Sequence, residues 1–264
     1  MENGFWQRQN AGKPLFAELA WSRPENRQLA GKLLVVGGNL HGFAAPAEAY
    51  AEAVRAGIGT ARVLLPDAVQ KIIGPVLENG EFAPSTPSGS LSRKALGDVL
   101  AAANWADGVL LAGDFGRNSE TAVLIEKVLA DFSGQLTLTK DAADYATSAP
   151  AAMLHRPNTL LVISLSQLQR LGVAAKFARP ATFSMDLLHT VEWLHDFTTQ
   201  FAPHIIVKHL DQIFVAANGR VSTTNLPDEN NQPIWRARTA AHASVWWLQQ
   251  PRKSFEALTA SIIA

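Results

Sequence analysis

Short apolar runs alternate along the chain with longer segments in which apolar residues recur every three to four positions. The first run, Lys32-Leu33-Leu34-Val35-Val36, ends at Gly37-Gly38-Asn39 and predicts a strand that is buried on both faces. The segment from Pro46 to Val54 has helical spacing, with proline in its first turn and Gly57 as its C-terminal stop. The chain therefore opens with a strand followed by a helix.

The same alternation continues over most of the chain. Further strands are predicted at residues 61–65, 108–112, 135–139, 159–163 and 205–207. Helices are predicted at 91–104, 119–132, 239–248 and 254–263. A short helix that Asp67 caps is predicted to end at Leu77, and a Ser164/Gln167 capping box begins a helix that ends near Gly172. A long helix carries the apolar stripe Phe183, Leu187, Leu188, Val191, Leu194 and Phe197. Residues 84–89 are expected to form a loop.

Asn218-Gly219 separates two strand-like segments, 212–216 and 220–224, and predicts an antiparallel hairpin. Strands that alternate with helices predict an α/β fold, with a mainly parallel sheet covered by helices on both faces. The 264 residues fit a single domain over 1–264. Ligand sites in such folds lie at the carboxyl ends of the strands.

Composition narrows the possible functions. Lys plus Arg and Asp plus Glu each number 23, so no overall field favours nucleic acid or anionic lipid. The absence of cysteine excludes disulfides, thiol catalysis and Cys-zinc sites. The N-terminal residues lack the basic segment followed by an apolar segment that is typical of a secretory signal, and no apolar run is long enough to span a membrane. We expect a cytoplasmic protein whose partners are small molecules or proteins.

Two glycine-containing turns follow predicted strands. Gly37-Gly38-Asn39 is favoured as a strand-to-helix turn, with amides presented to an anion as the alternative. The loop Gly113-Asp114-Phe115-Gly116-Arg117-Asn118 fits a structural turn and a phosphate-binding loop equally well. Asp114 would repel a phosphate there unless Arg117 or a metal compensated its charge.

Other polar and aromatic residues are ambiguous in the sequence. Asp141 and Asp144 follow a predicted strand, and helix capping is favoured over a role as base or metal ligand. The seven histidines show no metal-ligand spacing, so no metal site is predicted, and His189 and His195 are assigned to packing. The tryptophans at 235, 246 and 247 are expected to pack in the core or against another subunit, rather than to stack on a base.

Three segments carry a resemblance to a known family. They are Gly31 to Asn39, Ala44-Ala45-Pro46, and Ala53-Val54-Arg55-Ala56-Gly57-Ile58-Gly59. Together they resemble the opening of the NAD(P)H-hydrate dehydratase family, which has a ribokinase-like fold. That resemblance implies a ribokinase-like protein that uses ADP or ATP, with Mg²⁺, to dehydrate hydrated nicotinamide cofactors.

The later motifs of that family are mostly altered. Its Gly-Pro-Gly-Leu-Gly loop falls on residues 112–116 and keeps Gly116, and its Asp-Ala-Asp-Ala-Leu segment falls on 139–143 and keeps Asp141. Its Pro-His-Pro-Gly-Glu segment falls on 163–167, where both the histidine and the glutamate are absent. The lysine of its Lys-Gly pair persists as Lys208.

The largest change falls on the family's Gly-Thr-Gly-Asp motif, whose aspartate is a base and whose amides hold an anion. An ungapped placement puts Trp235-Arg236-Ala237-Arg238 there, with Arg238 at the base position. Arginine stays protonated and accepts no proton. The sequence thus predicts a catalytically impaired member that retains nucleotide or anion binding. The implied binding residues are Gly37, Gly38, Asn39, Ala45, Gly116, Lys208, Arg236 and Arg238.

Two alternatives stay open. One is an active divergent dehydratase or small-molecule kinase in which Asp141 or Asp228 is the base. The other is a non-catalytic interaction subunit that forms a homo-oligomer through the tryptophan cluster. The expected ligand is a nucleotide or another phosphorylated small molecule, with no nucleic acid and no membrane as partner.

Overall fold

A computed structural model describes residues 4–76, 80–225 and 237–264. Within these residues ten strands form one sheet. The strands are β1 (Trp6–Asn10), β2 (Lys32–Gly37), β3 (Thr60–Pro66), β4 (Gly80–Ala83), β5 (Gly108–Gly113), β6 (Gln135–Thr139), β7 (Thr159–Ser164), β8 (His204–His209), β9 (Gln212–Ala217) and β10 (Arg220–Asn225). The helices are α1 (Glu18–Trp21), α2 (Ala44–Arg55), α3 (Gln70–Ile73), α4 (Leu96–Trp105), α5 (Ser119–Asp131), α6 (Lys140–Ser148), α7 (Pro150–Leu154), α8 (Leu165–Ala174), α9 (Leu187–Gln200), α10 (Ala237–Gln249) and α11 (Ser254–Ala260).

The strand order is β1-β10-β9-β8-β7-β6-β5-β2-β3-β4. Of these strands only β9 runs antiparallel to its neighbours, because it is the first arm of the hairpin. From β2 the chain moves to β3 and β4 on one side, and it then returns to β5 on the other side. The order therefore reverses between β2 and β5, the kind of position at which open α/β sheets bind ligands beyond the carboxyl ends of their strands.

Helices cover both faces of the sheet. One core cluster joins alternate strand residues to α2, α10 and α11, and the other joins the intervening residues to α4 through α9. Alternate residues of a strand point to opposite faces, which explains why Ile206 belongs to the first cluster, and Ile205 and Val207 to the second. Each described helix falls short of the length and apolar character that a bilayer crossing needs.

The sequence-based interpretation of the fold is confirmed. The sheet is mainly parallel, the late hairpin turns at Asn218 and Gly219 with φ of 52° and 73°, and the Ser164/Gln167 capping box opens α8. Strands β1 and β4 were not predicted. The carboxylate of Asp67 does not cap a helix, because it accepts a hydrogen bond of 3.0 Å from the Ser85 amide.

The apolar stripe predicted for α9 is also partly wrong. Phe183 precedes the helix and Leu188 lies on its outer face, and both side chains are exposed. Leu77, the predicted end of the helix after β3, lies outside the described residues.

Candidate functional site

Two turns and the start of a helix meet beside the point where the strand order reverses. The turns, residues 37–39 and 113–118, follow β2 and β5, and Lys140 and Asp141 begin α6 directly after β6. Gly37 sits so close to the turn after β5 that a Cβ atom there would lie 2.5 Å from the carbonyl oxygen of Gly113. Glycine at 37 therefore permits the backbones of the two turns to touch.

The carboxylate of Asp114 occupies the centre of these turns. Its Oδ1 accepts a hydrogen bond of 2.7 Å from Lys140 Nζ, and its Oδ2 accepts one of 2.7 Å from the Ala45 amide in the first turn of α2. Asp114 and Lys140 both have left-handed backbones, with φ of 60° and 52°. The charge of Asp114 is thus balanced by Lys140 and the α2 N-terminus rather than by Arg117, the side chain that the sequence suggested.

The backbone amides predicted to face a ligand are bonded inside the protein. Gly38 N donates to Gly113 O, and Asn39 N donates to Gly42 O, at 3.0 and 2.8 Å. The amide of Ala45 is held by Asp114, and that of Gly116 donates to Asp141 Oδ2 at 3.1 Å. These residues build the turns, as the favoured interpretation of Gly37-Gly38-Asn39 expected.

Asp141 points back toward the turn after β5. Its Oδ1 is buried and has no hydrogen-bond partner among the described residues. Burial raises the pKa of Asp141 to about 6, and the nearby charge of Asp114 adds to the rise. The prediction that Asp141 caps the next helix is wrong, because no side chain caps α6.

Asp144 plays a different part from Asp141. Its Oδ1 accepts hydrogen bonds from Gln167 Nε2 at 3.0 Å and from Arg170 at 2.6 Å, so it joins α6 to α8. Both carboxylates border a cavity of about 310 Å³ between the starts of α5 and α6. The cavity is lined by Gly116, Arg117, Asn118, Ser119, Ala122, Asp141, Asp144, Tyr145 and Ser148.

Arg238 is the second residue of α10. Near the other end of α10, Leu248 packs beside Gly108, the first residue of β5, so the start of α10 lies toward the carboxyl edge of the sheet. The Arg238 side chain is 53% exposed, and its Nε lies 3.8 Å from Glu48 Oε2 on α2. A permanent cation therefore stands at the start of the last core helix.

Lys208 shares this face of the sheet. It follows Ile206 by two residues near the carboxyl end of β8, and Ile206 packs in the cluster that contains α10. Arg236, Trp235 and Asp228 lie outside the described residues. Of the predicted ligand-binding residues, Lys208 and Arg238 supply the cationic side chains at this edge.

The remaining predicted residues mostly have packing roles. Trp246 and Trp247 are 3% and 2% exposed within their own chain, so neither is placed to meet another subunit or a base. The ring of His195 stacks on Phe5 with centroids 3.7 Å apart, whereas His189 is exposed and pairs with Asp186. Within the described ranges, no group of three or more His, Asp or Glu side chains is arranged to hold a metal ion.

Sequence reasoning missed Lys140 and Tyr145. Lys140 reaches Asp114 from a left-handed backbone, a conformation that sequence rarely signals for lysine. The Tyr145 hydroxyl donates to Gly116 O and accepts from the Asn118 amide at 2.9 Å, which fixes the turn after β5. Tyr145 follows Asp141 by four residues, so helical spacing was the available signal.

The strand order, the hairpin and the two helical layers define a ribokinase-like α/β fold. A ribokinase-like superfamily protein from Enterococcus faecalis superposes with a TM-score of 0.71 at 12% identity, over 100% of this chain and 87% of its own. A protein from Streptococcus mutans gives 0.65 at 13% identity, over 93% and 85% of the two chains.

The fold is also that of an ADP/ATP-dependent NAD(P)H-hydrate dehydratase from Bacillus subtilis, co-crystallized with ATP/Mg²⁺. That comparison has a TM-score of 0.62 at 13% identity and covers 95% of this chain and 86% of that enzyme. No family model matches the sequence, and no curated protein matches it. The likeness is therefore one of fold, and the activity has to be argued from the site.

Proposed function

We propose that this chain is a ribokinase-like protein that binds ADP, ATP or a similar phosphorylated small molecule through Lys208 and Arg238, and lacks the proton transfer of the dehydratases it resembles. The observation that carries the proposal is the half-exposed guanidinium of Arg238 at the N-terminus of α10. Mg²⁺ would enter with the nucleotide phosphates.

Guanidinium chemistry suits binding and not proton transfer. Arginine stays charged, and its planar fork donates two hydrogen bonds to one phosphate. The partial positive charge of a helix N-terminus adds to the attraction for an anion. A side chain that cannot lose its proton cannot be the base, so binding without turnover is the expected behaviour.

The internal bonds of the other turns limit where the phosphate can lie. At the N-terminus of α2 the Asp114 carboxylate already accepts from Ala45, and a phosphate there would meet a like charge. The start of α10 carries the Arg238 cation, whose guanidinium is half-exposed and whose Nε lies 3.8 Å from Glu48 Oε2, a looser ion pair than the 2.7 Å pair of Lys140 with Asp114. Gly37, Gly38, Asn39, Ala45 and Gly116 thus build the backbone at this edge, while Lys208 and Arg238 supply the charge. Arg236, which the motif comparison adds, lies outside the described residues.

Calorimetry with ADP and ATP, each with and without Mg²⁺, tests this proposal. We expect Arg238→Ala to weaken nucleotide binding by roughly 10- to 100-fold, since hydrogen bonds to charged groups contribute about 1.5–3 kcal/mol. Arg252→Ala is the matched control, because Arg252 is exposed in the turn beyond the other end of α10. Absence of binding by the wild type, or equal affinities in the two variants, would contradict the proposal.

Asp141 favours a second candidate, an active divergent dehydratase or kinase. Its buried Oδ1 lacks a hydrogen-bond partner among the residues that the structure describes, and its pKa is raised to about 6, as suits a general base near neutral pH. In that case ATP-dependent turnover of a hydrated nicotinamide cofactor is detected in the wild type and lost in Asp141→Asn. It persists in Asp144→Asn, whose carboxylate is engaged with Gln167 and Arg170.

A further inference from the structure

Helices α2 and α10 lie side by side, and the apolar part of their contact consists mostly of alanine. Both helices belong to one core cluster, which contains Ala45, Ala49 and Ala53 of α2 and Ala237, Ala240, Ala241 and Ala243 of α10. Alanine side chains form shallow ridges, so they allow close packing but give little resistance when one helix slides along the other. The position of α10 along α2 therefore depends on other side chains as well.

Two polar contacts join these helices at matching positions. Arg238 Nε lies 3.8 Å from Glu48 Oε2. One turn further along each helix, His242 Nδ1 lies 2.7 Å from Glu52 Oε1. The two pairs are four residues apart on each helix, so α2 and α10 run in the same direction. The pair of His242 with Glu52 is the shorter of the two, and its side chains are only 14% and 6% exposed.

The buried pair joins a neutral ring to a charged carboxylate. Burial lowers the pKa of His242 despite the opposing effect of Glu52, and the nearby cations Arg55 and Arg23 lower it further. Burial alone would raise the pKa of Glu52, but hydrogen bonds from Arg55 and His242 together lower it. The uncharged imidazole therefore carries its proton on Nδ1 and donates it to the Glu52 carboxylate.

Packing alone does not account for a histidine at position 242. Its Nε2 atom is buried and has no hydrogen-bond partner among the residues that the structure describes. A buried acceptor without a partner costs free energy that an apolar ring of similar size would not cost. In coiled coils, a buried polar residue of this kind fixes the register of two helices at a cost in stability. The contact of His242 with Glu52 fits the same use.

We infer that His242 and Glu52 are positioning residues, whose hydrogen bond holds the start of α10, and with it Arg238, at the carboxyl edge of the sheet. Arg238 precedes His242 by four residues, so both side chains leave the same face of α10. The longer, half-exposed pair of Arg238 with Glu48 opens when the guanidinium turns to a phosphate, while the buried pair keeps the helix in place. This role in ligand binding rests on the proposed function, in which Arg238 holds the nucleotide phosphates.

Four variants separate the hydrogen bond from the bulk of the ring. His242→Phe keeps a ring and removes the donor, whereas His242→Asn keeps a donor, because the side-chain NH₂ of asparagine can replace Nδ1. Glu52→Leu removes the same hydrogen bond from the α2 side. Ser244→Ala is the matched control, because Ser244 is buried in α10 and donates to Thr137 Oγ1 on β6 at 2.7 Å. That control loses a hydrogen bond to the sheet and none to α2.

Hydrogen exchange of the ligand-free full chain, followed by mass spectrometry, tests the positioning. We expect residues 237–243 to exchange at least about 10-fold faster in His242→Phe and Glu52→Leu than in the wild type, since each loses a hydrogen bond that involves a charged group. In His242→Asn and Ser244→Ala this segment should exchange at nearly the wild-type rate. Wild-type exchange in His242→Phe and Glu52→Leu, or an equal increase in Ser244→Ala, would overturn the inference.

Calorimetry with ADP distinguishes this inference from the proposed function. Where ADP binds the wild type, we expect its dissociation constant to rise at least about 5-fold in His242→Phe, to return toward the wild-type value in His242→Asn, and to stay unchanged in Ser244→Ala. Unchanged affinity in His242→Phe would show that the pair does not position Arg238, and the inference would be wrong. If the wild type binds no ADP, the proposed function fails, and the exchange measurement alone decides whether the pair holds the start of α10.

Discussion

Asp114 and Lys140 form an ion pair of 2.7 Å that joins the turn after β5 to the start of α6. Each holds a left-handed backbone that costs about 1–2 kcal/mol for a residue with a side chain. The second carboxylate oxygen of Asp114 caps α2 at Ala45. An internal anion thus occupies the helix N-terminus where a ligand anion would otherwise be attracted.

Replacing Asp114 should expose that position to anions from solution. In Asp114→Gly the left-handed backbone is relaxed, and the Ala45 amide and Lys140 lose their acceptor. We expect inorganic phosphate to raise the free energy of unfolding of this variant more than that of the wild type. Urea titrations at increasing phosphate concentration measure the difference.

The control for this experiment is Asp211→Gly, which removes a carboxylate from the turn after β8 at the same edge of the sheet. Its phosphate response should match the wild type. If Asp114→Gly also matched the wild type, the Asp114 carboxylate would not be the group that blocks this anion position.

Asp141 should make the protein less stable as pH rises. The pKa is about 6 in the folded chain against 3.8 for an ordinary aspartate, chiefly because of burial. Below pH 3.8 the carboxyl is protonated in both states and its contribution to stability is fully present. That contribution is lost as pH rises through 6, because only the folded state binds the extra proton.

The Asp141→Asn variant should therefore exceed the wild type in free energy of unfolding by up to about 3 kcal/mol at pH 8, and by almost nothing at pH 3.5. Urea unfolding at the two pH values measures this. Asp144→Asn should show no such pH-dependent gain, since that carboxylate is half-exposed and paired with Arg170. If the free energies of unfolding of Asp141→Asn and the wild type differed by the same amount at both pH values, that result would contradict burial of the Asp141 charge.

The sequence predicted the fold well because its signals are local. Buried parallel strands form continuous apolar runs, and the Asn218-Gly219 turn and the Ser164/Gln167 capping box each fix a boundary with a few residues. Strand β1 lacks such a signal. Its pairing depends on β10, more than 200 residues away, and on contacts such as the bond of 2.8 Å from Gln9 Nε2 to Thr224 Oγ1.

The site was harder to predict because its contacts depend on backbone conformation and on distant residues. Motif comparison assigned ligand-binding roles to Gly38 and Ala45, yet their amides find acceptors in the turn after β5. Only the folded structure shows that Lys140 reaches Asp114, and that Asp141 Oδ1 has no hydrogen-bond partner within residues 4–76, 80–225 and 237–264. By contrast, the motif position of Arg238 was sufficient to predict a cation at the start of a helix.

Gly37 should tolerate no side chain. A Cβ atom at this position would lie 2.5 Å from the carbonyl oxygen of Gly113, which is backbone and cannot move aside easily. We expect Gly37→Ala to lower the free energy of unfolding by about 2–3 kcal/mol.

Gly97→Ala is the control, because Gly97 lies in α4 and no atom lies within 4 Å of the added Cβ. This substitution should raise the free energy of unfolding by up to about 1 kcal/mol. Thermal and urea unfolding of both variants measure the contrast, and destabilisation of similar size in both would contradict the close approach of the two turns.

His204 should give the protein its sensitivity to mild acid. It begins β8 beside Trp247, and burial lowers its pKa from 6.5 to about 4. The neutral ring fits the core, so its contribution to stability is present above pH 6.5 and is lost as pH falls through 4, because the unfolded chain takes up the proton first. Over that interval the His204 contribution to the free energy of unfolding should fall by up to about 3 kcal/mol. The Asp141 contribution rises over nearly the same interval, so the His204 slope is obtained as the difference between the wild type and His204→Phe. His204→Phe should remove most of this slope while His189→Gln, at an exposed position, keeps it. Urea unfolding between pH 4 and 7 measures how the free energy of unfolding changes with pH. If this pH dependence were the same in His204→Phe as in the wild type, the acid sensitivity would belong to other groups.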